Sequence, residues 1–277
     1  MKFLKKFSYL LKYYISDKRI KLYKKFLIHG LNNGYKFCSV FDSIEELNKK
    51  TNKLICLRHD VDEISPGTLK IAKVENELGL TSTYYFRCST IQKKVIDEIK
   101  LMGHEVSYHY ETISEYIIEN NIKSINEFST KNYLIPCQEL LKKKLDKFRR
   151  KYNVECKTIC SHGAQENRIF KKSNATLFDD IKNLKDILEI DLECYDKNYL
   201  SQWNAYVSDC PVEYNSGFRY GEDPYSLINK KNRFIFLSHP NHWSFSFGKR
   251  IKRIIKLLII GEIQDKQYFA YQQYLDD

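Results

Sequence analysis

The sequence predicts an α/β protein whose parallel sheet is either open or closed into a barrel. Three observations lead there. From Leu54 onward, short β-branched or aromatic runs alternate with amphipathic stretches of about 12 residues, the pattern of repeated strand–helix units. With 277 residues and an apolar fraction of 43%, the chain is long enough to bury a real core in one large domain. Polar, metal-capable side chains also follow one strand after another, and in α/β barrels the carboxyl ends of the strands carry the active site.

The elements follow in order. Residues 2–25 hold nine Lys or Arg against one acid, Asp17, and so most of the net charge of +11. Phe3, Leu4, Phe7, Leu10, Leu11, Tyr14 and Ile15 recur at near-helical spacing, so residues 1–50 are expected as a basic helical extension. Residues 54–57 read as a buried strand. Ser65 and Pro66 then supply an N-cap and a first helical position; Leu69, Ile71, Ala72, Val74 and Leu78 form an apolar face, and Gly79 ends the helix. Residues 81–86 read as a strand, 91–102 as a helix ended by Gly103, and 105–108 as a third strand. Further on, 135–152 and 177–188 read as helices and 156–160, 205–208 and 234–237 as strands, giving six or seven strands within a barrel region of residues 51–245. Residues 246–277, with the basic amphipathic run 249–260, are expected as a C-terminal helical extension packed on the barrel.

Several classes are set aside. Lysines interrupt the N-terminal apolar residues before a secretory core can form, and no apolar run of about 20 residues is present to span a bilayer. A cytoplasmic protein is expected, with contact between its basic helices and the anionic inner face of the membrane as one alternative and packing of their apolar stripes on the protein body as the other. No reader motif accompanies the charge, so no nucleic-acid partner is expected. The eight cysteines are scattered and lack paired C-x-x-C spacing, which points to reduced, buried thiols and not to a cysteine zinc site.

The chemistry concentrates after the strands. Arg58-His59-Asp60-Val61-Asp62 follows the first, His109-Tyr110-Glu111 the third, Ser161-His162-Gly163 a later one, then Asp209, and finally Ser238-His239-Pro240-Asn241-His242-Trp243. Asp60 and Asp62 stand two apart, which on an extended strand puts both carboxylates on one face. With His109 and His162 they form a mixed oxygen and nitrogen donor set suited to a divalent metal such as zinc, where three protein ligands leave a position for water. Such an ion lowers the pKa of its water to about 7. The remaining carboxylate suits a general base and His239 a general acid. Each residue also has an ordinary structural role open to it. The aspartates can cap the turn before Ser65, His104 can sit at a helix end, His162 can begin a turn, Glu111 can be an exposed charge and His242 can lie on the surface.

Asp60-Val61-Asp62, Gly103-His104-Glu105-Val106-Ser107-Tyr108-His109 and Leu237-Ser238-His239-Pro240 together resemble the polysaccharide deacetylases of the carbohydrate esterase 4 (NodB-like) group, in particular the branch associated with lipopolysaccharide and capsule biosynthesis. The resemblance implies a distorted (β/α) barrel that removes an acetyl group from an N-acetylated sugar, nucleotide- or lipid-linked, with one divalent metal ion, zinc by expectation. Position by position it implies Asp60 as general base, Asp62 and His109 as metal ligands and His239 as acid. Segments around His162, Asn167-Arg168 and Asp209 are similar to the same branch, and Arg168, Asp209 and Trp243 are expected to bind substrate. The chain departs from the family where a second metal histidine falls four residues after the first, because Ile113 stands there. His162 is the expected third ligand, with Glu111 in reserve. The aspartates are separated by Val61 instead of adjacent, so their two roles are interchangeable, and Arg168 or Arg58 takes the place of the family's base-positioning arginine. The alternatives are an amidase or esterase with a non-sugar substrate, and a catalytically silent barrel that binds a glycan or a partner.

Overall fold

The computed structural model describes residues 18–210, 217–219 and 223–245, together with 248, 251, 252 and 255. The basic stretch of residues 2–17 and most of the expected C-terminal extension lie outside them. The described strands are β1 (Lys36–Cys38), β2 (Leu54–Val61), β3 (Thr83–Phe86), β4 (Glu105–Tyr110), β5 (Thr158–Ser161), β6 (Leu192–Glu193), β7 (Ala205–Ser208) and β8 (Arg233–Ser238). All pairings between them are parallel, in the order β6-β5-β4-β3-β2-β8-β7, with β1 beside the first residues of β2.

The sheet curls on itself into a (β/α) half-barrel. In a flat sheet β2 and β5 would stand three strand spacings, roughly 14 Å, apart. Yet Arg58 of β2 puts Nη2 at 2.6 Å from Cys160 Sγ of β5 and 3.0 Å from Tyr195 Oη just beyond β6, while Nη1 is 3.4 Å from Tyr206 Oη of β7. Period-two alternation sorts the side chains. Leu54 and Cys56 of β2 pack inside with Tyr85, Cys160 and Ile235, and Ile55, Leu57 and Val61 pack outward with the helices. Both faces of a parallel sheet are covered, which is why β2 is buried along its whole length.

Helices cover the outside. The helix Gly67–Glu77 begins one residue past Pro66, and Ser65 Oγ accepts the Gly67 N–H at 3.1 Å. Glycine is required at 67, because a Cβ there would lie 2.0 Å from the carbonyl oxygen of Pro240. Gly79 ends this turn of chain with φ +68°, as expected of a left-handed helix terminator. The helix expected over residues 177–188 is instead two short ones, Leu177–Asp180 and Leu184–Leu188, because Asn183 takes a left-handed conformation with φ +59° between them.

Two strands escaped the sequence pattern, β1 and β6, since runs of 3 and 2 residues are too short for a period to show. β1 lies within residues 1–50, where a helical extension was expected, and joins the sheet beside Leu54–Cys56. In the same segment the helix Lys18–Asn32 buries Arg19, Tyr23, Phe26 and Leu27. Its apolar stripe is therefore spent on the protein body. Arg19 donates to the carbonyl oxygens of His242 (2.5 Å), Gly217 (3.1 Å) and Cys210 (3.2 Å). Among the described residues no helix is long and apolar enough to cross a membrane.

Candidate active site

β2 carries its charges on alternating sides. Arg58 and Asp60 point into the barrel, whereas His59 points outward and is held by Ser238 Oγ (2.7 Å) and Glu75 (2.7 Å). Asp62, one residue past the strand, stays on the Asp60 side. His109 reaches the same place from β4, His162 from the turn after β5 and His239 from the end of β8.

Asp62 is the point of convergence. Its Oδ1 lies 3.3 Å from His109 Nε2 and 3.6 Å from His162 Nε2, and its Oδ2 lies 3.6 Å from His239 Nε2. Each imidazole is oriented through its other nitrogen. His109 Nδ1–H donates to the Cys160 carbonyl oxygen (2.9 Å), His162 Nδ1–H to Glu111 Oε1 (2.9 Å) and His239 Nδ1–H to Asp209 Oδ1 (2.6 Å). With those protons so placed, the Nε2 atoms of His109 and His162 both face Asp62 Oδ1, a solvent-shielded oxygen, and as neutral imidazoles each would offer it a lone pair. Three electron-pair donors this close are stable around a cation. Bonds of about 2.0–2.1 Å to a tetrahedral zinc would set its ligand atoms about 3.3 Å apart, close to the spacing of Asp62 Oδ1 from each of the two Nε2 atoms.

By mutual spacing, the clusters of three metal-capable groups within 4.8 Å of one another among the described residues are Asp60–His109–Cys160 and Asp209–His239–His242. In each, the carboxylate is already engaged. Arg58 holds Asp60 bidentately, with Nε 2.9 Å from Oδ1 and Nη2 2.8 Å from Oδ2, and Nη2 also lies against the Cys160 sulfur. A cation placed there would face a guanidinium. Asp209 accepts the His239 backbone N–H (3.0 Å) and Nδ1–H (2.6 Å) and, at Oδ2, Trp243 Nε1–H (2.6 Å), so its oxygens are already engaged.

The ionisation of the site follows from this geometry. Burial would raise the Asp60 carboxyl, but the Arg58 guanidinium and then His109 bring it below the usual carboxylate range. Burial likewise opposes the charge on Asp62, and His109, His239 and His162 outweigh it to hold the carboxyl well down. Burial works against the His239 imidazolium, yet Asp209 in contact with it pushes the imidazole up to about 9. The site therefore pairs a carboxylate kept ionised, Asp60, with an imidazole kept protonated, His239, which lies beside Asp62.

Asp60, Asp62, His109, His162 and His239, named from sequence, come together here. Asp209 and Trp243, expected at the substrate, are both buried behind His239: Asp209 holds its imidazole, and Trp243 holds Asp209. Arg168 is exposed on the short helix Gln165–Ile169 and is not among the residues gathered at Asp62. Arg58 is the arginine that grips Asp60. Its i, i+2 relation to Asp60 was the sequence signal for it. Cys160, Tyr195, Tyr206 and Arg87 gave none, since only the curl of the sheet brings them in. His242, expected at the surface, is buried with Nδ1 at 3.3 Å from Asp209 Oδ1, and His104 is buried between Ser82 and Ala72.

The site and fold define a parallel (β/α) half-barrel with a histidine–carboxylate centre at its carboxyl face. No family model matches the chain, and no curated protein matches it. Among solved structures it is similar to a family 4 carbohydrate esterase from Streptomyces lividans in complex with acetate, with 12% identity and a TM-score of 0.40 over 76% of this chain and 89% of that one. It is also similar to a family 4 carbohydrate esterase from Bacillus anthracis (16% identity, TM-score 0.39, 79% and 86% of the two chains). A third is a pseudoenzyme of that family from Bacillus anthracis (12%, 0.41), of whose longer chain 63% is covered.

Proposed function

We propose that this chain is a divalent-metal-dependent hydrolase that removes the acetyl group from an N-acetylated sugar, with zinc as the metal. The observation that carries this is Asp62: its partnerless Oδ1 is faced by two Nε2 lone pairs, and a base and an acid flank it. Asp62, His109 and His162 would hold the ion. A bound zinc supplies Lewis acidity, polarising a carbonyl oxygen and bringing the pKa of water to about 7.

The chain's own residues handle the protons. Asp60, held ionised and oriented by Arg58, accepts a proton from the attacking water as its oxygen bonds to the acetyl carbon. His239, held protonated by Asp209, presents Nε2–H on the opposite side and donates to the amide nitrogen as the carbon–nitrogen bond breaks. Acetate and a free amine result. The proposed acceptor is a surface-glycan precursor, nucleotide- or lipid-linked, on the strength of the motifs around Asp60, His109 and His239.

The test combines metal analysis with hydrolysis of N-acetylhexosamine substrates. Wild type is expected to bind one zinc and release acetate. Asp62→Ala and His109→Ala should lose both properties, and Asp60→Asn should keep the metal while losing about 10²–10⁴ in kcat. Acetate release that persists undiminished in Asp62→Ala, or a wild type that binds no divalent ion, would sink the proposal; the second result favours a silent binding barrel.

A further inference from the structure

Four residues after His109 stands Ile113, on the helix Thr112–Glu119 and fully buried in the outer apolar layer. That helix offers no second imidazole to the centre. His162 comes instead from the turn after β5, and a ligand on a turn needs something to fix it.

Both its ring and its backbone are fixed. Glu111 Oε1 accepts the ring Nδ1–H at 2.9 Å, and Arg87 grips Glu111 in turn, Nη2 to Oε1 at 2.8 Å and Nε to Oε2 at 3.1 Å. The same guanidinium donates from Nη1 to the Asp62 carbonyl oxygen at 3.1 Å, so one side chain ties both the Asp62 backbone and the partner of His162. On the other flank Asn174 is fully buried. Its Nδ2 donates to the His162 carbonyl oxygen at 2.7 Å, and its Oδ1 accepts the N–H groups of Ile113 (2.7 Å) and Ser114 (3.3 Å). Asn174 thereby pins the His162 turn to the first turn of the helix that carries Ile113.

We infer that Arg87, Glu111 and Asn174 are positioning residues that make His162 the third protein ligand of the cation, in place of a histidine on the Thr112–Glu119 helix; this rests on the metal site proposed above. Glu111 is not itself the ligand. Arg87 and His162 occupy both of its oxygens, and a guanidinium beside a carboxylate opposes a second cation there. A carboxylate accepting from Nδ1–H fixes the imidazole tautomer, turns its Nε2 lone pair to the metal and makes that nitrogen more basic. Loss of such a support typically weakens metal binding about 10–100-fold.

The experiment is calorimetric titration of zinc into the metal-free full chain, alongside visible spectra of the cobalt(II) form. Wild type should bind one equivalent. Glu111→Gln and Asn174→Ala should each weaken binding about 10–100-fold while still folding cooperatively when metal-free, Asn174→Ala at a somewhat lower Tm, and Glu111→Asp, which keeps the charge, should recover part of the loss. The cobalt spectrum of Glu111→Gln should move towards that of His162→Ala. Wild-type affinity and an unchanged spectrum in Glu111→Gln and Asn174→Ala would overturn the inference and leave the metal site standing, as would weakening confined to variants whose metal-free fold is lost. A wild type that binds no zinc overturns the metal site itself.

Discussion

The residue whose placement matters most for proton transfer is Asp209. Buried and multiply hydrogen-bonded, it sits against His239 and raises that imidazole to about 9 against the opposing effect of burial. An acid that must be protonated to donate gives activity that falls as pH rises through its pKa. Asp209→Asn removes the charge that holds the proton, so the alkaline limb of the pH–rate profile is expected at lower pH than in wild type. An alkaline limb that does not move would show that His239 is not the acid. Sequence located both residues but gave Asp209 to the substrate, because it cannot show that Trp243 and the His239 backbone close around the carboxylate from behind.

At the scale of elements, the helix Gly67–Glu77 is fixed to the barrel by two devices. Glu75, fully buried, accepts from Tyr84 (2.7 Å), Ser82 (2.7 Å) and Tyr23 and bonds His59 (2.7 Å), joining the helix to β2, β3 and the helix Lys18–Asn32. Burial opposes its charge, but His59 and then His104 and Tyr23 hold the carboxyl down to about 2. A depressed carboxylate stabilises the fold fully above its ordinary value of 4.5, and the contribution is lost as pH falls towards about 2. Glu75→Gln should therefore cost about 2 kcal/mol at neutral pH in denaturant melts, with the gap to wild type closing across that acid window. Gly67 is the second device, since it lets the helix start touch the Pro240 carbonyl just after His239. Gly67→Ala should cost about 1–3 kcal/mol from overpacking and lower kcat by displacing His239, whereas an unchanged kcat would mean that the contact does not position the acid.

For the whole molecule, the curled sheet brings donors from β2, β4 and β5 to a single point, so an ion bound there braces the barrel across strands. Zinc at a hundredfold excess over its Kd should stabilise the wild-type fold by about 2.7 kcal/mol and raise Tm by several degrees, with chelator reversing the rise. Asp62→Ala should show no zinc-dependent shift in a thermal melt. Whether the basic stretches of residues 2–17 and 249–260 meet an anionic membrane is a separate matter, tested by liposome co-sedimentation at low and high salt.

The sequence by itself determined the alternation of strands and helices, because period two and period 3.6 are local properties of side-chain placement. It also placed Asp60, Asp62, His109, His162 and His239 at or just past strand ends, and so at one end of a parallel sheet. What only the tertiary structure decided is how they are partnered. Arg58 reaches Asp60 and Cys160 together because the sheet curls, which engages both Asp60 oxygens while Asp62 Oδ1 is left without a hydrogen-bond partner. Glu111 is shared between His162, which one of its oxygens holds, and Arg87, from another strand end, which takes the other. Such pairings depend on distances between segments far apart in the chain, and no local period encodes them.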